Sequence, residues 1–318
     1  MRIGTYRRDG SPRVGFAIND SILDVVEVCH LVQKDVPDAL SLAKAVEFGG
    51  VLSLLEGGEV LLDTARQVAK EGRNLVKDSE GNLFGKVAFR TQEVSIMAPI
   101  PRPKKNIVCL GLNYRDHYEE TLGKKGVPLP SVPVFFTKAP TAVVGPFDEV
   151  LYPLSSTQLD YEVELAFVVG KSGKNIPRRR AYEHIAGYMI MNDVTARDLQ
   201  RDHIQWFRGK SLDTFAPMGP FLVTSDEVPE PHNLETTMKV NGEIRKKSNT
   251  SNMIFSIDQI IETLSSDMTL EPGDIVATGT PSGVGVGMTP PRYLQVGDVM
   301  EAQIGHLGLT RNTVAAQR

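Results

Sequence analysis

The chain has 318 residues, is 41% hydrophobic and carries a formal charge of -4, which gives ample core for one large or two modest domains and argues against a disordered chain. Its basic runs, Arg178-Arg179-Arg180 and Lys246-Lys247, are short and read as loop surface, so nucleic acid is not expected as the main partner. The two cysteines, Cys29 and Cys109, support neither a disulfide framework nor a thiolate zinc site, and no apolar run approaches ~18 residues, so a soluble cytoplasmic protein is the default expectation.

Residues 1–98 read as a small α+β domain. Arg2 to Tyr6 and Arg13 to Ile18 flank the turn Asp9-Gly10-Ser11-Pro12 and predict a hairpin. Two amphipathic stretches follow, Leu40 to Leu55 with a break at Gly49-Gly50, and Glu59 to Glu71. No cluster of catalytic residue types occurs here. The stiff run Met97-Ala98-Pro99-Ile100-Pro101-Arg102-Pro103 marks a boundary, and 99–318 form a second domain.

Lys105 to Gly111 reads as a buried strand and Leu112 to Glu120 as a loop entering a helix, which sets His117 and Glu120 on one face at i, i+3 spacing. That pair is either an ordinary surface contact or a base oriented by a carboxylate. Gly123 to Pro133, rich in Gly, Lys and Pro, reads as a lid, and Val134 to Lys138 as a strand.

The stretch Asp160-Tyr161-Glu162-Val163-Glu164-Leu165 alternates acid and apolar before turning apolar through Val169. On a strand Asp160, Glu162 and Glu164 share a face, and carboxylates two residues apart sit roughly 7 Å apart at Cα. Such a face is either a wet edge or it surrounds a positive charge.

Asp193 follows the apolar strand Ala186 to Met191, where it can serve as a ligand or cap a helix beginning near Val194. Lys210, between Gly209 and Ser211, is either a loop cation or a site residue. Thr237 to Val240, Asn241-Gly242 and Glu243 to Arg245 predict a hairpin with a type I′ turn. Ser251 to Leu264 reads as a helix burying Met253, Ile254, Ile257, Ile260, Ile261 and Leu264. The glycine-rich loop from Thr278 to Gly285 matches neither a P-loop nor a dinucleotide fingerprint. Its glycines, Gly279 among them, let backbone approach a small ligand, with Thr280 able to bind a carboxylate.

Together these motifs resemble the fumarylacetoacetate hydrolase (FAH) superfamily across roughly residues 104–312. The resemblance is carried by Gly111-Leu112-Asn113-Tyr114-Arg115-Asp116-His117 with Glu120, Tyr161 to Leu165, Asn192 to Gln200, Gly209-Lys210-Ser211, Met253 to Ser256, and Glu271 to Asp274 running on to Gly285. It implies a mainly β α+β fold, a mixed β-sandwich or β-roll catalytic domain, commonly in a homodimer. It implies that Glu162, Glu164 and Asp193 bind Mg2+ or Mn2+, that His117 and Glu120 are the acid/base dyad acting with Lys210, and that Gln200, Thr280, Gly279 and Arg115 contact substrate.

The arrangement is similar to the branch of acylpyruvases, oxaloacetate decarboxylases or tautomerases, and 2-hydroxyhepta-2,4-diene-1,7-dioate isomerases. Leu112 departs from the arginine that many small acylpyruvases carry there, so substrate identity does not transfer. The resemblance implies a metal-dependent enzyme acting on a small 2-oxo acid, with C–C bond hydrolysis of an acylpyruvate or fumarylpyruvate-like compound as the first expectation. Oxaloacetate decarboxylation or tautomerisation, or dienedioate isomerisation, is the alternative within enzymes; a non-catalytic metal-binding module is the alternative outside them.

Overall fold

The computed structural model describes residues 1–78, 82–121, 126 and 128–317. Of the lid expected at Gly123 to Pro133, Gly123, Lys124, Lys125 and Val127 lie outside them. The fold is α+β and mainly β, and among the described residues no closed barrel forms. Among the described residues, a twelve-stranded sheet runs from Ala88–Arg90 through the N-terminal strands to Ala216–Thr224, Ile185–Asn192, Val163–Val169, Ile275–Ala277, Ile107–Gly111 and Val134–Lys138. A second sheet of five strands is built on Glu243–Asn249, Glu235–Val240, Val299–Ile304, Leu309–Ala316 and Val150–Tyr152. The two share one hydrophobic core, with Leu165 and Met191 from the first and Met238 and Met300 from the second.

The N-terminal hairpin forms as expected, Ile3 pairing with Phe16 and Tyr6 with Arg13. Its first strand also pairs with strand Ala216–Thr224, Arg2 opposite Val223 and Ile3 opposite Leu222. The sheet is therefore continuous across the boundary drawn at residue 98. Helices Ala39–Glu56 and Gly58–Asp78 cover this end, and the first is interrupted at Gly50 (φ 63°, ψ -150°). Asn241 (φ 52°) and Gly242 (φ 79°) form the turn between Glu235–Val240 and Glu243–Asn249, the two positive φ values that a type I′ turn requires.

Three local expectations change. The helix read from Ser251 spans only Ile257–Ser265, opened by a capping box of Ser256 and Gln259. Met253 and Ile254 precede it, and Ile254 N instead donates to Asn113 O at 2.7 Å. The acidic stretch is not one strand: Leu159–Asp160 pairs with Thr195–Ala196, and Val163–Val169 with Ile185–Asn192. In the gap, Glu162 N donates to the side-chain Oδ1 of Asn192 at 2.9 Å, and Asp193 N donates to Glu162 O at 2.7 Å. Finally, no helix starts near Val194; the next one is Arg197–Asp202, so Asp193 caps nothing.

Candidate active site

The break in the acidic strand brings Asp193 beside Glu162 and Glu164. One carboxylate oxygen from each of the three lies within 4.8 Å of the others, and the residues are 0–5% exposed. Three buried carboxylates would repel strongly if nothing offset them. Lys210 Nζ donates to Glu162 Oε2 at 2.7 Å and Asp193 Oδ2 at 2.6 Å. Lys138 Nζ donates to Asp193 Oδ1 at 2.5 Å and Val194 O at 3.0 Å. Arg197 Nη2 donates to Glu162 Oε1 at 2.6 Å, while its Nε and Nη1 are spent on Asp160 Oδ2 (2.8 Å) and Gln200 Oε1 (3.0 Å).

These partners split the acids electrostatically. Burial alone would raise Glu162, but Lys210 and Arg197 outweigh it and hold the carboxyl well below its usual range. Glu164 goes the other way: burial first, then the Asp193 and Glu162 charges, push it well above that range, and its clear local donor is Gly279 N at 2.9 Å. Gly279 adopts φ +94°, which turns that N–H onto the carboxylate. Glu164 is thus an oxygen donor that lacks a cation. An all-oxygen, closely spaced, buried carboxylate triad with one member uncompensated fits a hard divalent ion.

Glu162 and Glu164 of the triad open into a cavity of about 320 Å³ lined by His117, Gln200, Lys210 and Thr280, among others, with Phe136 and Trp206 as an aromatic wall. The Phe136 and Trp206 rings meet edge-on, centroids 5.2 Å apart. The indole lies against Gly111, where a Cβ would fall 2.3 Å from the ring. His117 Nδ1 is 3.6 Å from Glu120 Oε2 on helix Arg115–Thr121, and both Glu120 oxygens accept from Gly283 N (3.1 and 3.0 Å). Burial would raise Glu120, but the His117 contact and the Gly283 N–H hold it below the usual carboxylate range. Gln200 has its carbonyl committed to Arg197, so its NH2 is the end left for a ligand.

Two of the expected substrate contacts look different in place. Arg115 is exposed and does not line the cavity. Thr280 lines it, but its hydroxyl donates to Val163 O at 2.9 Å and accepts from Lys246 Nζ at 2.7 Å, so its one proton is already used. Lys246, read as loop surface, is 2% exposed on strand Glu243–Asn249 and also donates to Pro281 O at 2.9 Å. Lys138, Arg197 and Lys246 were not among the expected site residues. A signal existed for the first two: Lys138 ends an aromatic strand, and Arg197 follows Asp193 by four residues.

Burial pushes the Lys246 ammonium down to about 8 from 10.5. The protonated form is the one the fold disfavours, so the penalty is complete below about pH 8 and fades as pH approaches 10.5, where the unfolded chain also loses its proton. The contribution of Lys246 to stability should therefore rise through that window. Chemical denaturation of the wild type and Lys246→Gln across it measures the difference; a constant difference would refute the assignment.

Residues 106–315, a span that contains the whole cavity, match the fumarylacetoacetate (FAA) hydrolase C-terminal family. The chain belongs to the fumarylacetoacetate hydrolase family. It is 46% identical over 267 residues to the oxaloacetate tautomerase YisK of Bacillus subtilis, covering 84% of this chain and 86% of that one. It is 42% identical over 269 residues to the human mitochondrial oxaloacetate tautomerase FAHD2A, 84% of each chain. A solved fumarylacetoacetate hydrolase from Exiguobacterium antarcticum aligns over the full length of both chains with a TM-score of 0.74 and 38% identity. Within this family fold, and among the described residues, Glu162, Glu164 and Asp193 form a buried acidic group that could hold a metal ion. No described helix is long and apolar enough to cross a membrane.

Proposed function

We propose that this chain is a divalent-metal-dependent tautomerase of a dianionic 2-oxo acid, with oxaloacetate as its substrate. The observation that carries the reading is a charge balance. Four buried acids, Asp160, Glu162, Glu164 and Asp193, stand with four buried cations, Lys138, Arg197, Lys210 and Lys246. Held by Glu162, Glu164 and Asp193, an Mg2+ or Mn2+ ion would bring an excess of about two positive charges, or about one with the ionised Glu120 counted, which an anionic substrate offsets. Tautomerisation is favoured over C–C hydrolysis because it is the reaction named for both relatives, and it requires only a proton shuttle.

The exchange is balanced without water: one proton leaves C3 and one arrives at the 2-oxo oxygen. When bound, the cation supplies polarisation of that oxygen, which acidifies C3. His117 is the base for the C3 proton, and Glu120, kept ionised and pinned by Gly283, orients the imidazole. Lys210 has spent two of its three N–H groups on Glu162 and Asp193, and the third is available to a substrate carboxylate. The Gln200 NH2 supplies a second donor. The aromatic wall excludes water from the exchanging carbon.

The test is to follow oxaloacetate enol-to-keto conversion spectrophotometrically with added magnesium, beside acetylpyruvate cleavage and oxaloacetate decarboxylation. His117→Ala is expected to lower the catalysed tautomerisation rate about 10²- to 10⁴-fold. Unchanged tautomerisation in that variant, or faster cleavage of acetylpyruvate than tautomerisation in the wild type, would overturn the reading.

A further inference from the structure

A second cavity, of about 150 Å³, is lined by Tyr161, Asn241, Arg245, Arg292, Tyr293 and Asp298, with other residues. It shares no lining residue with the first. Two of its buried groups lack hydrogen-bond partners: Tyr161 Oη, on a residue 1% exposed, and Arg245 Nε, on a side chain 8% exposed. An arginine Nε–H can only donate, and a buried donor left unmet is destabilising. The occupant that satisfies both must bring acceptor oxygens.

We propose that this cavity is a binding site for a small oxyanion, a phosphate or a carboxylate. Charge at the site agrees. Arg292 faces Glu243 through two bonds of 3.0 and 3.1 Å, and Arg245 Nη2 meets the same carboxylate at 3.1 Å. Glu243 is 53% exposed, so an incoming oxyanion can displace it from between the two guanidiniums while it turns into solvent. Asp298, the other acid present, is held by Asn241 Nδ2 at 2.7 Å and Gln295 N at 2.8 Å. Arg292 is half-exposed and forms the entrance.

The site backs onto the catalytic loop. Tyr161 stands between Asp160 and Glu162 in the chain, and the backbone oxygen of Arg245 approaches Gly283 so closely that a Cβ there would lie 2.1 Å from it. Lys246, the next residue, holds Thr280 and Pro281. An occupant of this cavity therefore touches Tyr161, between two of the acids, and Arg245, whose backbone abuts the loop that shapes the active site.

Equilibrium dialysis of the full chain with phosphate, and separately with malonate, at fixed ionic strength tests the proposal. The wild type should bind one more equivalent of at least one anion than Arg292→Gln, a substitution at a half-exposed position that the fold tolerates. Tyr161→Phe should weaken the same equivalent about tenfold or more. Binding of phosphate alone identifies a phosphate site and of malonate alone a carboxylate site. Selenate soaked into crystals should give an anomalous peak between Tyr161 Oη and Arg245 Nε. Equal stoichiometry in wild type and Arg292→Gln, ordered water alone in the cavity, or occupancy seen only at crystal concentrations would overturn it.

Discussion

Replacing Asp193 with asparagine is expected to lower stability by about 3–5 kcal/mol, because the change takes a shared counter-charge from two buried ammonium groups and strands one of them. Lys138 and Lys210 are 0% and 1% exposed and both donate to this carboxylate. Lys210 keeps Glu162, but Lys138 keeps only the neutral Val194 carbonyl. Asparagine preserves the shape, so the loss reports charge rather than packing. Urea denaturation with an unchanged m-value measures it. Lys138→Met combined with Asp193→Asn should cost less than the sum of the two single changes, since the second removes the charge stranded by the first. A loss below about 1 kcal/mol in Asp193→Asn would mean that the lysine contacts do not carry the site.

Glu164→Gln should behave in the opposite way. Its carboxyl is pushed well above the usual range, so without metal it is held largely neutral, and glutamine can still accept from Gly279 N. The metal-free variant should match the wild type within about 1 kcal/mol. Magnesium at a hundredfold excess over Kd should add about 2.7 kcal/mol to the wild type and little to the variant. Turnover should fall at least about 100-fold, more than an outer-sphere change produces. The sign of the pH effect follows from the same shift. A carboxyl raised in the fold costs metal-free stability as pH climbs above its unfolded value, and metal binding should then release about one proton. Calorimetry in buffers of different ionisation enthalpy counts that proton. Full magnesium stabilisation and full rate in Glu164→Gln would remove the triad from consideration.

Much of this was readable from local pattern. The hairpins and the Gly49-Gly50 interruption are short-range signals, and each has a direct counterpart in the fold; the acidic alternation marked the site, but its strand breaks at Tyr161-Glu162. Asp193 was ambiguous because a carboxylate after a strand can cap or coordinate, and the choice depends on where the next helix starts, four residues on at Arg197. The buried cations were harder. Lys246 occupies a polar step of an alternating strand, and nothing within that strand says that the face it presents is closed by Thr280 and Pro281, more than thirty residues away. Arg197 was read within a motif, but its three carboxylate and amide bonds depend on the break at Tyr161-Glu162, where a side-chain amide replaces a backbone partner. The continuous sheet across residue 98 likewise rests on a pairing between positions 2 and 223.

Trp206 is the chain's one tryptophan, and it stands in the wall of the catalytic cavity against Phe136. Intrinsic emission at the red edge of excitation therefore reports a single place in the molecule. Filling or emptying the chamber alters the polarity around that indole, so ligand entry can be timed by stopped-flow without attaching a dye.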